Sequence, residues 1–310
     1  MKTLLLVDGH ALIHRAYFAI PPFKTKDGFP TNAIYGFFMI LQKSINDFKP
    51  HYLVILYDTP KPTFRNKLYK NYQIHRPKSQ DNMIIQIPKL KEILEKGRIF
   101  QLEKEGFEAD DLIGTITTIE NKGDLKKIIL TGDKDIFQLV NENTFVMTPQ
   151  IGFSKGLLFD KEEVIKKLKV QPIQIPDYKA LAGDPSDNYP GAKGIGPKTA
   201  EKLINEFISI ENLYQNLDKV NDLRIKKLLN DHKDDILLSK KLAVIVKNID
   251  IDFKLSDTEF SGFNQNVKKE LLSLGMNTLV KRLFTNNLDK KDNSENKKKN
   301  NGESQQASLF

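Results

Sequence analysis

Acidic residues recur in short clusters along the first 190 positions, and of all the side chains in this sequence they are the best suited to chemistry. The clusters contain Asp8, Asp58, Glu108, Asp110, Asp111, Asp133, Asp135, Asp184 and Asp187. If the fold gathers them, their repulsion requires cations, because like charges a few ångströms apart raise each other's pKa or demand a counter-ion. Oxygen-only ligation suits Mg²⁺ or Mn²⁺, and two such ions about 4 Å apart can support phosphodiester hydrolysis.

Each acid taken alone has a simpler explanation. A single Asp after a strand or at a helix start is more often a turn former or an N-cap. Capping does not need the adjacent pair Asp110-Asp111 or the closely spaced Asp133 and Asp135, so the set favours a metal site. The chain has no cysteine and only five histidines, which show no ligand spacing. This composition excludes disulfides, thiolate zinc sites and cysteine nucleophiles.

Three short apolar runs are predicted to be buried strands, and each leads to an acid. The runs are Leu4 to Val7, Tyr52 to Tyr57 and Lys127 to Leu130. Asp8 and Asp58 follow the first two directly, and Asp133 lies just beyond the third. Helical patterns over 32–48 and 112–121 separate them. The alternation predicts an α/β fold with a mostly parallel central sheet flanked by helices, and ligands of such sheets bind outside the carboxyl ends of the strands.

Two further segments have the composition of nucleic-acid contacts. Residues 59–82 carry six Lys or Arg together with Phe64, Tyr69 and Tyr72, which suits a single strand held by stacking and charge. A solvated loop with anchoring aromatics is the alternative for this segment. Residues 191–200 read Gly-Ala-Lys-Gly-Ile-Gly-Pro-Lys-Thr-Ala and open a predicted helix. Glycines and a helix N-terminus favour binding to DNA phosphates, although a plain helix-turn-helix connection remains open.

Composition and length bound the organisation of the chain. The 310 residues carry a formal net charge of +8, which favours a polyanionic partner. We predict a catalytic α/β domain over 1–159, a helical lobe over 160–284 and a disordered tail over 285–310 that is rich in Asn, Lys, Asp and Ser. The N-terminal apolar run is too short for a signal peptide and no segment is long enough to span a membrane, so we expect a cytoplasmic protein.

Taken together, the motifs resemble the 5′-nuclease (flap endonuclease) superfamily, and most closely the 5′-3′ exonuclease domain of bacterial DNA polymerase I. The matching motifs, which cover roughly residues 3–250, are Leu-Val-Asp8-Gly-His, Thr63-Phe-Arg65, Phe107-Glu108-Ala-Asp110-Asp111, Leu130-Thr-Gly-Asp133-Lys-Asp135, Gly183-Asp184-Pro-Ser-Asp187-Asn188 and Gly194-Ile-Gly196-Pro-Lys198-Thr-Ala. Since the sequence stops at Phe310, we expect a stand-alone form without a polymerase.

The resemblance implies a PIN-like 5′-nuclease fold and a structure-specific 5′-3′ exonuclease and 5′-flap endonuclease. Such an enzyme cleaves DNA and RNA primers in replication and repair by a two-metal mechanism with Mg²⁺ or Mn²⁺. The family pattern assigns one metal to Asp8, Asp58, Glu108, Asp110 and Asp111. It assigns the second metal to Asp133, Asp135, Asp184 and Asp187.

The same resemblance implies how the substrate is held. Residues 59–82 would form a helical arch over the 5′ strand, and the glycine hairpin would be a helix-hairpin-helix element that grips duplex phosphates with a bound K⁺. The DNA contacts expected are Arg65, Lys70, Tyr72, Arg76, Lys134, Lys193, Gly194, Gly196, Lys198 and Thr199. One departure concerns the arch, where relatives usually carry Tyr-Lys and this chain has Tyr72-Gln73. A cation near the scissile phosphate is then missing, unless Lys70, Arg76 or Lys78 replaces it.

The final residues resemble the short motif by which bacterial replication proteins dock on the sliding clamp. Its expected contacts are Gln306, Leu309 and Phe310. Two rival functions are a branched-DNA-binding protein that does not cut and a PIN-type ribonuclease. A pure binder gains nothing from acids beside phosphates, and small ribonucleases lack the basic segment and the glycine hairpin, so the sequence favours the flap nuclease.

Overall fold

The fold is built around a central sheet with helices on both faces. The computed structural model describes residues 1–77, 79–121, 123–149 and 156–284. The strands are β1 (Lys2–Asp8), β2 (Tyr52–Tyr57), β3 (Phe100–Glu103), β4 (Leu125–Leu130), β5 (Thr144–Thr148) and β6 (Leu157–Phe159). The α-helices are α1 (Gly9–Ala19), α2 (Asn32–Phe48), α3 (Phe64–Leu68), α4 (Asp81–Ile84), α5 (Gln86–Lys96), α6 (Ala109–Ile119), α7 (Lys161–Leu168), α8 (Ile175–Ala182), α9 (Pro197–Phe207), α10 (Ile210–Gln215), α11 (Leu223–Asp231), α12 (Lys233–Ala243), α13 (Gln265–Ser273) and α14 (Asn277–Phe284). Short 3₁₀ helices lie at Asp135–Leu139, Pro172–Gln174, Leu217–Lys219 and Leu255–Thr258.

The strand order places the acid-bearing strand ends together. The six strands run in the order β3-β2-β1-β4-β5-β6, with only β6 antiparallel to its neighbour. This confirms the predicted α/β class with a mostly parallel sheet. The chain builds outward from β1 to β3 on one side and then crosses to β4 on the other. A crevice therefore opens at the carboxyl ends of β1 and β4, where ligands bind in open α/β sheets.

Strand β1 shows why the sheet is covered on both faces. Its side chains alternate, so that Leu4 and Leu6 belong to the core on the side of α6, whereas Leu5 and Val7 belong to the core with α1 and α2. All four are fully buried. A strand buried on both faces reads as a continuous apolar run rather than an alternating one. The same pattern in β2 and β4 made these strands recognisable in the sequence.

The predicted elements agree with the structure where the apolar pattern is strong. Strand β2 and helix α2 have the predicted bounds, and β4 begins two residues before the predicted Lys127. Strands β3, β5 and β6 were not predicted because they are only three to five residues long and lie toward the sheet edges, and because β3 and β5 mix polar with apolar side chains.

The segment predicted as a helical arch is only partly helical. Within 59–82, apart from Lys78, helix covers α3 and the first residues of α4, and turns connect them. Pro60, Pro62 and Pro77 account for much of this, because proline removes an amide donor and disfavours helical geometry in the residue before it. The prediction that this segment is helical is therefore wrong for most of its described residues.

The C-terminal half returns to the sheet after leaving it. Helix α12 packs on α8 in the helical lobe. Residues 244–259 then run back along α6. Helices α13 and α14 then pack against α5 and α2. Packing thus groups residues 244–284 with the sheet, whereas the sequence division assigned them to the lobe. No helix in the described ranges is long and apolar enough to cross a membrane.

The tail over 285–310, including Gln306, Leu309 and Phe310, lies outside the described residues. The clamp-binding prediction stays a prediction.

Candidate metal and nucleic-acid site

A cavity of about 700 Å³ opens at the carboxyl ends of the central strands. Seven of the nine predicted carboxylates line it: Asp8, Asp58, Glu108, Asp110, Asp133, Asp135 and Asp187. The other two, Asp111 and Asp184, are buried in the surrounding protein. The fold therefore brings acids from five separate stretches of chain to one place.

Asp8 and Asp58 are held by helix N-termini. One oxygen of Asp8 accepts the Ala11 N–H of α1 at 3.0 Å, and the other accepts the Thr131 hydroxyl at 2.8 Å. Asp58 accepts the Ala109 N–H at the start of α6 at 2.8 Å. A helix N-terminus favours negative charge, so these bonds orient the carboxylates and partly offset their repulsion. Even so, burial and the charge of Asp58 raise the pKa of Asp8 to about 7.

Asp110 and Asp133 complete this part of the site. Asp133 accepts the Asp135 N–H at 2.8 Å. Among the described residues the Asp110 carboxylate has no hydrogen bond or ion pair, and burial together with the charges of Asp133 and Asp8 raises its pKa well above the usual range. No Lys or Arg of the described chain forms an ion pair with Asp8, Asp58, Asp110 or Asp133. We call these four residues the open acids.

Glu108 lies between the open acids and the basic segment. It accepts hydrogen bonds from Arg65 at 3.1 Å, the Thr63 hydroxyl at 3.3 Å and the Tyr72 hydroxyl at 3.4 Å. Burial raises its pKa to about 7, although the charge of Arg65 opposes this rise.

A second group of acids meets at the hairpin side of the cavity. One oxygen each of Asp135, Asp184 and Asp187 lies within 4.8 Å of the others, a spacing that can hold a cation. Lys179 donates to both Asp135 and Asp184. Asp184 also accepts the Ser186 N–H at 2.8 Å. Burial alone would raise the pKa of Asp184, but Lys179 and these bonds lower it instead.

Arg65 and Asp111 form a buried ion pair, and this corrects two predictions. The guanidinium makes two bonds to the Asp111 carboxylate, at 2.7 and 2.8 Å. It also donates to the main-chain carbonyls of Leu242 and Val244, at 2.9 Å each, while the Val246 N–H donates to Asp111. Arg65 is 2 % exposed and Asp111 is fully buried. Arg65 reaches the edge of the cavity, but its donors are already used by protein groups, so the predicted DNA contact of Arg65 and the predicted ligand role of Asp111 do not fit these partners. The pair instead joins α3, α6 and the end of α12.

Tyr72 and Gln73 point inward rather than toward a solvent-exposed strand. Tyr72 is 5 % exposed, and its hydroxyl donates to Asp187 at 3.2 Å. The Gln73 amide donates to the same carboxylate at 3.0 Å, and its main-chain N–H bonds the Asp187 carbonyl. The predicted stacking of Tyr72 on DNA therefore does not fit its burial. Arg76 lines the cavity and is exposed, as is Lys70 on the same segment.

The glycine hairpin between α8 and α9 has an anchored inner side. Ala192 and Ile195 are buried in the core, and the Gly191 N–H donates to the buried Ser239 hydroxyl of α12 at 3.1 Å. Gly191 has a φ of 58°, and an added Cβ would lie 2.3 Å from the Gly183 nitrogen, so only glycine fits.

The outer side of the hairpin faces solvent. The predicted contacts Lys193, Gly194, Gly196 and Lys198 are exposed there, and Thr199 is partly so. Lys134, in the loop after β4, is likewise exposed. These side chains have the accessibility that binding to phosphates requires.

The sequence analysis did not predict two residues of the site, His10 and Lys179. His10 accepts the Asp58 N–H through Nδ1 at 3.1 Å, so its proton lies on Nε2, and burial lowers its pKa. Its only signal was its position two residues beyond Asp8. Lys179 lies five residues before Asp184, and a single lysine in a helix gives no sequence sign of an ion pair.

Family models match almost the whole described chain. The model for the 5′-3′ exonuclease N-terminal resolvase-like domain matches residues 3–169, and the model for the C-terminal SAM fold of 5′-3′ exonuclease matches 170–266. The chain belongs to the 5′-3′ exonuclease family. It is 41% identical to a 5′-3′ exonuclease of Aquifex aeolicus over 282 residues, which cover 91% of this chain and 95% of that protein.

Other relatives of this exonuclease-family chain are much longer. DNA polymerase I of Bacillus subtilis is 40% identical over 283 residues, covering 91% of this chain but 32% of the polymerase. The chain thus spans about a third of the polymerases that it matches.

Solved structures share the fold at low identity, which confirms the predicted 5′-nuclease fold. They include T5 5′-exonuclease with bound zinc (TM-score 0.67, 18% identity, covering 91% of this chain and 97% of that one) and the catalytic core of Rad2 with a DNA substrate (TM-score 0.59, 17% identity, covering 92% of each chain).

The side chains of this exonuclease-family site fit hard divalent cations. Seven carboxylates line the cavity beside histidine, tyrosine and basic side chains, and carboxylate oxygens are ligands that Mg²⁺ and Mn²⁺ prefer. Within the described residues no Lys or Arg forms an ion pair with the open acids, and burial together with the charge of Asp58 raises the pKa of Asp8, an effect that a bound cation would oppose.

Proposed function

We propose that this member of the 5′-3′ exonuclease family hydrolyses DNA phosphodiesters near 5′ ends and at 5′-flap junctions, leaving a 3′-hydroxyl and a 5′-phosphate. The observation that carries the proposal is the convergence of seven carboxylates on one cavity at the crevice between β1 and β4. Exposed cations lie on two sides of it, in the segment 59–82 and at the hairpin. RNA primers on DNA templates are substrates of the same kind, which suits work in the cytoplasm in replication and repair.

The acids divide into two proposed ligand groups. The open acids, with Glu108 beside them, would hold one Mg²⁺ or Mn²⁺, and Asp135, Asp184 and Asp187 would hold a second. Asp133, which the family pattern assigns to the second metal, is placed with the first because its charge acts on Asp110. Bound there, the cations would make a water more acidic and stabilise charge on the leaving oxygen. Asp111 is excluded from both groups because Arg65 and main-chain amides already occupy its carboxylate.

The remaining residues position the substrate. Lys193, Lys198 and the open face of the hairpin would bind duplex phosphates without reading sequence, with K⁺ at the hairpin as a further counter-ion. Arg76 would supply the cation at the cavity mouth that Gln73 lacks, because it lines the cavity and is oriented by a bond to the Gln73 side chain at 3.2 Å. Lys70 and Lys134 add positive charge on either side.

A cleavage assay tests the proposal. A 5′-labelled flap substrate is incubated with the protein in Mg²⁺, in Mn²⁺ and in EDTA, and the products are sized. We expect cuts near the junction with either metal and none in EDTA, and cleavage that persists in chelator contradicts the metal mechanism. The double variant Asp133→Ala with Asp135→Ala should bind the flap without cutting it. If unlabelled single-stranded RNA competes better than flap DNA, the ribonuclease function is favoured instead.

We also propose that Gln306, Leu309 and Phe310 dock the protein on a sliding clamp. The support is the resemblance of the final five residues to a short clamp-binding motif. Replacing Leu309 and Phe310 with Ala should abolish co-elution with a bacterial clamp and leave flap cleavage in the absence of the clamp unchanged. Equal co-elution of both forms contradicts this assignment.

A further inference from the structure

Lys179 lies at the centre of the second ligand group. It projects from the last turn of α8, and its ammonium donates both to Asp135, at the start of a 3₁₀ helix after β4, and to Asp184, beyond the end of α8. Its side chain is 15 % exposed. The lysine therefore bridges two acids that come from different stretches of the chain.

The ammonium already binds two of the three acids that the second cation would need. Asp135 and Asp184 each use an oxygen for Lys179, and both belong to the group whose oxygens approach within 4.8 Å. A lysine ammonium and a divalent cation both seek carboxylate oxygens, and at a separation of a few ångströms in a partly buried site they repel strongly. A divalent cation bound to both carboxylates in the observed arrangement would therefore lie close to the ammonium and be repelled by it.

The open acids provide the contrast. No Lys or Arg of the described chain forms an ion pair with Asp8, Asp58, Asp110 or Asp133, although the charge of the exposed Arg76 acts on Asp58 and Asp133 from a greater distance. A cation binding there therefore breaks no such ion pair. At the second ligand group, by contrast, Lys179 is already paired with two of the three acids.

We propose that Lys179 is a built-in counter-ion of the second cation site. Its ammonium holds Asp135 and Asp184 at ligand spacing when no divalent cation is bound, and it leaves these oxygens when one binds. This exchange makes the second site weaker than the site of the open acids, so that the second cation is taken up last. The inference rests on the proposed metal-dependent function and adds an order of binding to it.

Titration of Mn²⁺ into full-length protein tests the exchange without any turnover. Calorimetry and the Mn²⁺ electron spin resonance signal give the number and affinity of bound ions. The wild-type protein should bind one ion tightly and a second more weakly. In Lys179→Met, which removes the charge and keeps the length, the second affinity should rise about tenfold or more, because the competing charge is gone.

Thermal unfolding gives a second readout that a purely structural lysine would not produce. In EDTA, Lys179→Met should melt below the wild type, since two buried acids lose their counter-ion. In saturating Mn²⁺ the difference should disappear, because the ion replaces the ammonium.

Lys240 supplies a matched control. It also bridges two acids, Asp177 at 2.5 Å and Glu211 at 2.6 Å, and its side chain is 20 % exposed. Lys240→Met should lose stability in EDTA, gain none of it back in Mn²⁺ and keep the wild-type Mn²⁺ affinities.

Each outcome separates the two claims. An unchanged or weakened second affinity in Lys179→Met, or a melting difference that persists in Mn²⁺, overturns the counter-ion role while leaving the nuclease proposal intact. A wild-type protein that binds no Mn²⁺ overturns the metal-dependent function itself.

Discussion

Asp110 and Asp111 are neighbours in the sequence and have opposite surroundings. Asp110 faces the cavity among other acids, with no hydrogen bond or ion pair in the described chain, and its pKa is raised. Asp111 is fully buried, and both of its oxygens bond Arg65. The partner of a carboxylate, rather than its place in a motif, therefore decides whether it can bind a cation.

The cations of the chain divide in the same way. Arg65 is buried and Lys179 is mostly buried, and both are paired with acids of the protein, whereas Lys193 and Lys198 lie on the exposed side of the hairpin. We expect the acids and cations that are paired within the protein to affect stability or ion affinity. We expect the exposed lysines of the hairpin to affect substrate binding.

The largest effect is expected from Asp110→Asn. Flap cleavage in Mg²⁺ should fall by roughly a thousandfold or more, because a ligand of the proposed first cation is lost. The free energy of unfolding in EDTA should stay the same or rise, since the change removes a repulsive charge. Rate measurements with the same flap substrate and denaturant melts in EDTA check both parts. Near wild-type cleavage would place Asp110 outside the metal site.

Asp111→Asn should act on stability instead. Breaking a buried pair by removing one partner costs about 3–5 kcal/mol, because the remaining charge is left unpaired. Urea denaturation measures the loss, and cleavage by the fraction that stays folded should remain within a few-fold of wild type. As a control, Arg65→Met combined with Asp111→Leu removes both charges and should recover part of the stability. A double variant no more stable than Asp111→Asn would contradict the ion-pair assignment.

The pH dependence of the stability of the metal-free protein follows from two acids at the cavity. The pKa values of Asp8 and Glu108 are raised to about 7 by burial, so the folded state binds protons that the unfolded state releases above about pH 4. Their stabilising contribution is present below that pH and is lost as the pH rises through 7. In EDTA the free energy of unfolding should therefore fall from pH 5 to pH 8, by on the order of 2 kcal/mol per group.

Divalent cations should reverse this trend. They bind the deprotonated acids, so saturating Mn²⁺ should stabilise the protein more at pH 8 than at pH 5. Denaturant melts at the two pH values, with and without Mn²⁺, measure the effect. Stability in EDTA that increases between pH 5 and pH 8 would contradict the buried, repelling arrangement of these acids.

The smallest effect is expected at the hairpin. Lys198→Ala should weaken binding of duplex DNA only a few-fold and reduce the slope of log affinity against log salt by about one, the contribution of one phosphate contact. Fluorescence anisotropy over a salt series in Ca²⁺ measures it. Lys202, an exposed lysine of α9 one turn further from the hairpin, provides the comparison. An equal change in slope for Lys202→Ala would show that the hairpin has no special role.

The sequence predicted the centre of the fold because its signals there are strong. Strands buried on both faces read as apolar runs, and the acids at their ends are fixed to one edge by parallel topology. Strand β2 and helix α2 were therefore placed correctly. The return of residues 244–284 to the sheet was not predictable, since α13 and α14 have the same helical pattern as the lobe and only their packing distinguishes them.

The interior of the site was harder to predict because it depends on contacts between distant residues. Arg65 meets the end of α12 nearly 180 positions later, and Lys179 meets Asp135 across 44 positions. A basic segment looks the same in sequence whether its cations face DNA or the core. The predicted stacking of Tyr72 on DNA was wrong for the same reason, because an aromatic residue in a cationic segment can equally well be buried.

The most direct test of the account is the stoichiometry of Mn²⁺ in the two neighbouring variants, measured by equilibrium dialysis of full-length protein. Asp110→Asn should lose the tight ion of the open acids, while Asp111→Asn, assayed at a temperature where it is folded, should bind as many ions as the wild type. The opposite result, with the tight ion kept by Asp110→Asn and lost by Asp111→Asn, would contradict the division between open and paired acids.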